Sequence, residues 1–231
     1  MRRRRSATAR PTSPPTAPSL KGTTPARTTE RRPLGAVLAG GASRRFGSPK
    51  ARAPLAGVPL ARRVADALAA AGLPVVTIVA RADQPLPFDA PARCDEIAGA
   101  GPLGGITAAL AWAEEEGRPG AVCVACDLPL IAPGLLRHLA RHGASSGARA
   151  LVPAGGGRWG VEPLCAYYST AALPAVRRRA LRGELQLGPL LQELGAPVLS
   201  PATVRRWGDP AVLFLNVNTP DDRRRAERLL G

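Results

Sequence analysis

Apolar residues in this chain gather into short runs, and between the runs they recur at helical spacing. Residues 34–39, 75–80, 121–125, 150–153 and 212–217 form runs of strand length. Residues 60–71, 104–115, 135–141, 171–181, 187–194 and 221–230 carry the 3.6-residue periodicity of helices. Strands alternating with helices predict an α/β domain: a mostly parallel sheet with helices on both faces, joined by right-handed crossovers. Ligands of such sheets bind beyond the carboxyl ends of the strands. No apolar run reaches about 18 residues, so no transmembrane helix is expected.

Residues 1–33 break the pattern. They are rich in Arg, Ser, Thr, Pro and Ala and poor in large apolar groups, the composition of a disordered tail. The domain is therefore expected over residues 34–231. Arg pairs occur in the tail, but no apolar stretch follows, which argues against an export signal. The tail holds eight Arg, one Lys and one Glu, a net +8 of the chain's +15, which leaves +7 for the domain. Of 32 basic residues only Lys21 and Lys50 are lysine, an arginine bias that resembles GC-rich coding. That bias, with aromatics at 3%, argues against nucleic acid as a partner, because stacking platforms are scarce.

The first strand runs into Leu38-Ala39-Gly40-Gly41-Ala42-Ser43-Arg44-Arg45-Phe46-Gly47-Ser48-Pro49-Lys50. Its glycines let backbone N–H groups approach an anion, and lysine supplies a point charge for phosphate. The spacing fits neither the P-loop nor the dinucleotide pattern. An ordinary strand-to-helix loop with a basic cluster fits too. Arg44, Arg45 and Lys50 after a buried strand favour a nucleoside triphosphate.

Carboxylates and amides follow other strands. Asp127, after Cys126 and before Leu128-Pro129, stands at the end of the third strand, placed to hold Mg²⁺ against phosphate or to cap a turn. Asp95 precedes Gly101-Pro102-Leu103-Gly104-Gly105, where a helix starts and its N–H groups can face a nucleotide. Asn216 and Asn218 share one side of an extended segment, and Thr219 or Asn218 is the expected N-cap, with Pro220 at the first helical position. Glu162-Pro163-Leu164-Cys165-Ala166-Tyr167-Tyr168 reads as a strand with two core tyrosines. It follows a glycine-rich stretch, residues 155–160, able to close over a second substrate, with Arg158 an anion contact. Cys123 and Cys126 match C-x-x-C. One pair three apart in a strand faces both ways and cannot complete a zinc site, so they read as small buried hydrophobes. Reduced thiols fit the cytoplasm. His138 and His142 belong to a polar helix face and are expected to be solvated.

Taken together, the loop, G-P-L-x-G, C-D-x-P and N-x-N-T-P segments resemble, in order, the signatures of the molybdenum cofactor guanylyltransferase (MobA) family. The resemblance covers about residues 34–231. It implies a Rossmann-like (GT-A-like) nucleotidyltransferase that joins GMP from GTP to the phosphate of the molybdopterin-molybdenum cofactor, releasing pyrophosphate with Mg²⁺. By the same resemblance Leu38, Ala39, Gly40 and Gly41 line the nucleotide, and Arg45 and Lys50 bind the triphosphate. Asp95 sits at the nucleotide, Asp127 holds the metal, and Asn218 lies near the metal and the reacting phosphate. Molybdoenzymes or their chaperones would receive the product. Three departures stand out: Phe46 for the usual Met, Pro49 for the usual Asp, and Val79 near a position where some members place a base-contacting Asn. Pro49 resembles the isoprenoid cytidylyltransferases, whereas Ala39-Gly40-Gly41 resembles guanine-specific members. A cytidylyltransferase, another NTP transferase of this fold, or a nucleotide-binding regulator without turnover are the alternatives.

Overall fold

The computed structural model describes residues 31–40, 50–81, 83–95, 97, 99–157 and 159–230. In chain order the elements are β1 (Leu34–Leu38), β2 (Pro54–Leu55), β3 (Val58–Pro59), α1 (Leu60–Ala70), β4 (Val75–Val79), β5 (Ala92–Cys94), α2 (Pro102–Glu115), β6 (Gly120–Ala125) and α3 (Pro133–Ser145). There follow β7 (Ala150–Pro153), β8 (Cys165–Ser169), α4 (Leu173–Leu181), α5 (Leu187–Leu194), β9 (Val198–Leu199), α6 (Pro201–Val204), α7 (Pro210–Leu213) and α8 (Pro220–Leu230).

Seven strands make one sheet in the order β5-β4-β1-β6-β8-β7-β9. β1 pairs parallel with β4 and β6, and β4 with β5. β8 alone runs against its neighbours, antiparallel to β6 and to β7. The expected mostly parallel sheet is what forms, with one reversed strand inside it.

Alternation along the strands divides the core in two. Leu34, Ala36 and Leu38 of β1 and Ala121 and Cys123 of β6 pack with α2, α4 and α5. Val37 of β1 and Val122 and Val124 of β6 pack with α1 and α3 on the other face. The strands read as continuous apolar runs because both faces are covered. α3 lies close on β8 because Gly143 has no side chain: a Cβ there would come 2.2 Å from the Tyr167 ring. A third, small cluster of Leu55, Leu60, Leu215, Val217 and Ala226 seats the C-terminal segment on the β2–β3 hairpin.

One expected strand does not form. Residues 212 and 213 of the run 212–217 belong to the helix α7, and the rest of the run is turn and coil. Asp209 starts the helix by accepting the Ala211 N–H at 2.9 Å, with Pro210 at its first position. That local start signal outweighs a short apolar run. The alternation survives all the same, with buried Val217 between exposed Asn216 and Asn218. Arg31 and Arg32, assigned to the tail by composition, hydrogen bond to the domain through Glu116 O and Gly72 O. Among the described residues no helix is long and apolar enough to cross a membrane.

Tyr168 fixes the entry to β8. Its buried hydroxyl donates to Pro163 O at 2.9 Å. Tyr168→Phe leaves that carbonyl unpartnered, and stability is expected to fall by about 1–3 kcal/mol. A lower urea midpoint at unchanged m-value checks it.

Candidate active site

β1, β4, β5 and β6 end on one edge of the sheet, and the site is built there. Leu38 O accepts the Cys126 N–H at 3.1 Å, which locks the end of β1 to the residue before Asp127. Ala39 N–H donates to Ile78 O at 2.8 Å. Gln84 clamps the same turn: its amide donates to Ala39 O at 3.1 Å and accepts the Ala80 N–H at 3.3 Å. Gly40 passes close to Ala80, where a Cβ would come 3.3 Å from the Ala80 nitrogen. Leu38, Ala39 and Gly40 thus form a backbone floor. Gly41 and Arg45, and with them most of the glycine-rich loop, lie outside the described residues.

Lys50 resumes the chain beyond that loop. Its Nζ lies 2.5 Å from Asp127 Oδ2 and also donates to Asn218 Oδ1. Both members of the ion pair are largely buried, with side chains 16% and 20% exposed. The second carboxylate oxygen, Asp127 Oδ1, is buried with no hydrogen-bond partner among the described residues. A buried carboxylate oxygen with no donor is an unmet demand for positive charge. A hard divalent cation with oxygen ligands fits it. The Asp127 carbonyl accepts the Val217 N–H at 2.9 Å, which holds the C-terminal segment against the end of β6.

Asn218 is positioned by a helix cap. Thr219 Oγ1 accepts the Asp222 N–H at 3.1 Å, and Asp222 Oδ2 accepts the N–H groups of Thr219 and Asn218 at 2.8 and 3.0 Å. This is a reciprocal capping box, with Thr219 as N-cap as expected. Burial opposes ionisation of Asp222, but these N–H donors and Lys50 outweigh it, and its carboxyl is held below the usual value.

Asp95 lies at the far side of the same edge. The strand order puts β5 three spacings from β6, about 14 Å. Its carboxylate rests on the first turn of α2, where a Cβ on Gly104 would come 1.9 Å from Oδ2. Its Oδ1 accepts the Ile97 N–H at 2.9 Å. A carboxylate is favoured there by the helix dipole. The first turn of this helix therefore lies against the protein's own carboxylate.

Two residues at the site escaped the sequence reading. Gln84 sits in a polar loop with no motif around it. Glu162 was passed over in favour of the tyrosines that follow it, yet it is only 8% exposed. Burial and the Asp127 charge push its carboxyl up to about 7, against a Leu164 N–H that pulls it down.

Other sequence candidates fall elsewhere. Cys123 and Cys126 belong to opposite core faces, and burial pushes both thiols up to about 12. Among the described residues no three His, Cys, Asp or Glu side chains gather as a metal cluster. His138 is half-buried, its ring 3.7 Å from His142 and 4.8 Å from Trp207, on α3. It is packed rather than solvated, and burial lowers its pKa. Arg158 lies outside the described residues.

A Rossmann-like sheet with a glycine floor, a lysine and a carboxylate at its carboxyl edge defines a nucleotide-handling α/β enzyme. The MobA-like NTP transferase domain matches residues 35–210, and the chain belongs to that family of nucleotidyltransferases. A probable molybdenum cofactor guanylyltransferase of Opitutus terrae is 38% identical over 84% of this chain and 94% of its own length. The molybdenum cofactor guanylyltransferase of Rhodobacter capsulatus is 34% identical over 84% and 94%. The crystal structure of molybdopterin-guanine dinucleotide biosynthesis protein A from Archaeoglobus fulgidus superposes with a TM-score of 0.73 at 30% identity, covering 85% of this chain and 98% of that one.

The raised carboxyl of Glu162 sets a pH dependence. Between about 4.5 and 7 the folded protein holds a proton that the unfolded chain has released, so stability falls as pH rises through that window. Glu162→Gln is expected to remove this slope. Melting temperatures of both proteins across that range, in EDTA, check it.

Proposed function

We propose that this protein transfers GMP from GTP to the phosphate of the molybdopterin-molybdenum cofactor and releases pyrophosphate. The observation that carries the reading is the Lys50 ammonium joined to both Asp127 and Asn218, one residue from each of three separate motifs. The relatives' names support guanine as the base and the molybdenum cofactor as the acceptor. Asp95, Leu38, Ala39, Gly40 and Gly41 would hold the nucleotide, with the phosphates toward Lys50 and Arg45. Cytoplasmic location and delivery to molybdoenzymes or their chaperones follow from the same reading.

An acceptor phosphate oxygen attacks the α-phosphorus of GTP in line. The new oxygen–phosphorus bond forms as the bond to the bridging oxygen breaks, and pyrophosphate leaves with that electron pair. The nucleophile is already an anion, so no general base is required, and His138 and His142 stand away from this edge on α3. The chain's work is positioning and charge neutralisation. Lys50 meets charge growing on the leaving pyrophosphate, and Asn218 offers its amide at the reacting phosphate. Asp127 Oδ1 would hold Mg²⁺, which supplies charge neutralisation across the phosphate oxygens.

Lys50→Ala is expected to slow transfer by a factor of about 10²–10³, the cost of one preorganised electrostatic donor. Asp127→Ala is expected to lose metal-dependent turnover. Pyrophosphate release with molybdenum cofactor and GTP, CTP or ATP in turn measures both. A wild-type rate in Asp127→Ala refutes the metal seat, and turnover with CTP equal to that with GTP refutes the base assignment.

A further inference from the structure

Asp127 does not stand alone at the end of β6. β6 and β8 pair antiparallel with Gly120 opposite Ser169 and Val124 opposite Cys165. The Ala125 N–H still donates to Leu164 O at 2.8 Å. Beyond that bond both chains turn, with Asp127 two residues past Ala125 and Glu162 two residues before Leu164, close enough for the charge of Asp127 to act on Glu162. Like charges brought together in this way repel.

Glu162 is fixed at that point. Its N–H donates to Pro153 O at 3.0 Å, and its carbonyl accepts the Cys165 N–H at 3.1 Å. Glycine backbone flanks the side chain: a Cβ on Gly155 would come 3.3 Å from Glu162 Cβ, and one on Gly157 3.6 Å from Oε2. The residue is only 8% exposed, no side-chain donor is seen on its carboxyl among the described residues, the Leu164 N–H bears on it, and Asp127 is the charge that acts on it. Lys50 is spent on Asp127 Oδ2 and Asn218, while Asp127 Oδ1 is buried and unpartnered. Two carboxylates against one ammonium leave a net negative charge in a buried place, which a cation cancels.

We propose that Glu162 is a second carboxylate of the metal seat, so that the divalent cation is held by Asp127 Oδ1 from β6 and by Glu162 from β8. The ligands are hard oxygens, which suit Mg²⁺ or Mn²⁺. The assignment rests on the reading of Asp127 as a metal ligand. It gives the one reversed strand of the seven-stranded sheet a role, since β8 begins at the edge where β6 ends and so brings the residues before it to Asp127.

Mn²⁺ titrated into the full-length protein without nucleotide, with free Mn²⁺ read by electron paramagnetic resonance at pH 8, tests it. Glu162→Gln is expected to weaken Mn²⁺ binding about 10–100-fold, and Asp127→Asn at least as much. Glu162→Asp, which keeps a carboxylate on a shorter stem, is expected to fall between wild type and Glu162→Gln. Melting of Glu162→Gln in EDTA at or above the wild-type temperature separates a metal role from a structural one. Wild-type Mn²⁺ affinity in Glu162→Gln with weakened binding in Asp127→Asn overturns the role of Glu162 alone. Undiminished binding in Asp127→Asn, or no binding by the wild-type protein, overturns the metal seat itself.

Discussion

The ammonium of Lys50 is the point on which the site turns. It joins a carboxylate 77 residues away and an amide 168 residues away in the sequence. An ammonium has three donors and no acceptor, so it can serve Asp127, Asn218 and an incoming phosphate together. Everything around it keeps its partners in place. The Asp127 backbone is tied to Val217, the preceding Cys126 to Leu38, and the backbone of Asn218 to Asp222. The first two ties cross from one segment to another and the third fixes the start of α8, so the geometry belongs to the sheet edge as a whole.

The cost of this arrangement is borne at the reversed strand. β8 enters from a glycine-rich turn and delivers Glu162 beside Asp127, where burial and like charge oppose its ionisation. A core built for stability alone would place an apolar or neutral group there. Tyr168 and Cys165 on the same strand are buried and uncharged, with burial raising both well above their usual range. Glu162, just before this strand, is the acid on which the charge of Asp127 acts.

How much of this was legible depends on whether the signal was local. β1, β4, β6 and the helices between them show in the chain because runs such as 121–125 are apolar throughout, which both-face burial demands. Thr219 as a cap was legible because Thr-Pro-Asp-Asp carries its whole signal within four residues. The helix α7 hid inside an apolar run because Asp209-Pro210 acts locally while the run reads as a strand. Lys50, Asp127 and Asn218 were legible as residues, yet their meeting at one atom was not, since only strand order decides it. Glu162 was hidden for a related reason. Its place near Asp127 depends on β8 running antiparallel to β6, and a pattern of apolar residues carries no strand direction.

The choice of lysine at position 50 follows from the same geometry. The chain uses arginine for 30 of its 32 basic residues, so lysine here departs from its habit. A guanidinium presents a planar fork that takes both oxygens of a carboxylate at once. Facing Asp127, such a fork would consume Oδ1 along with Oδ2. The ammonium, a compact point charge, takes Oδ2 and leaves Oδ1 without a donor. It also donates to Asn218 Oδ1. A carboxylate neutralised on one side and open on the other is what a protein needs in order to hold a cation and a phosphate-binding cation side by side. The single-oxygen grip of Lys50 is therefore the condition for the proposed metal seat.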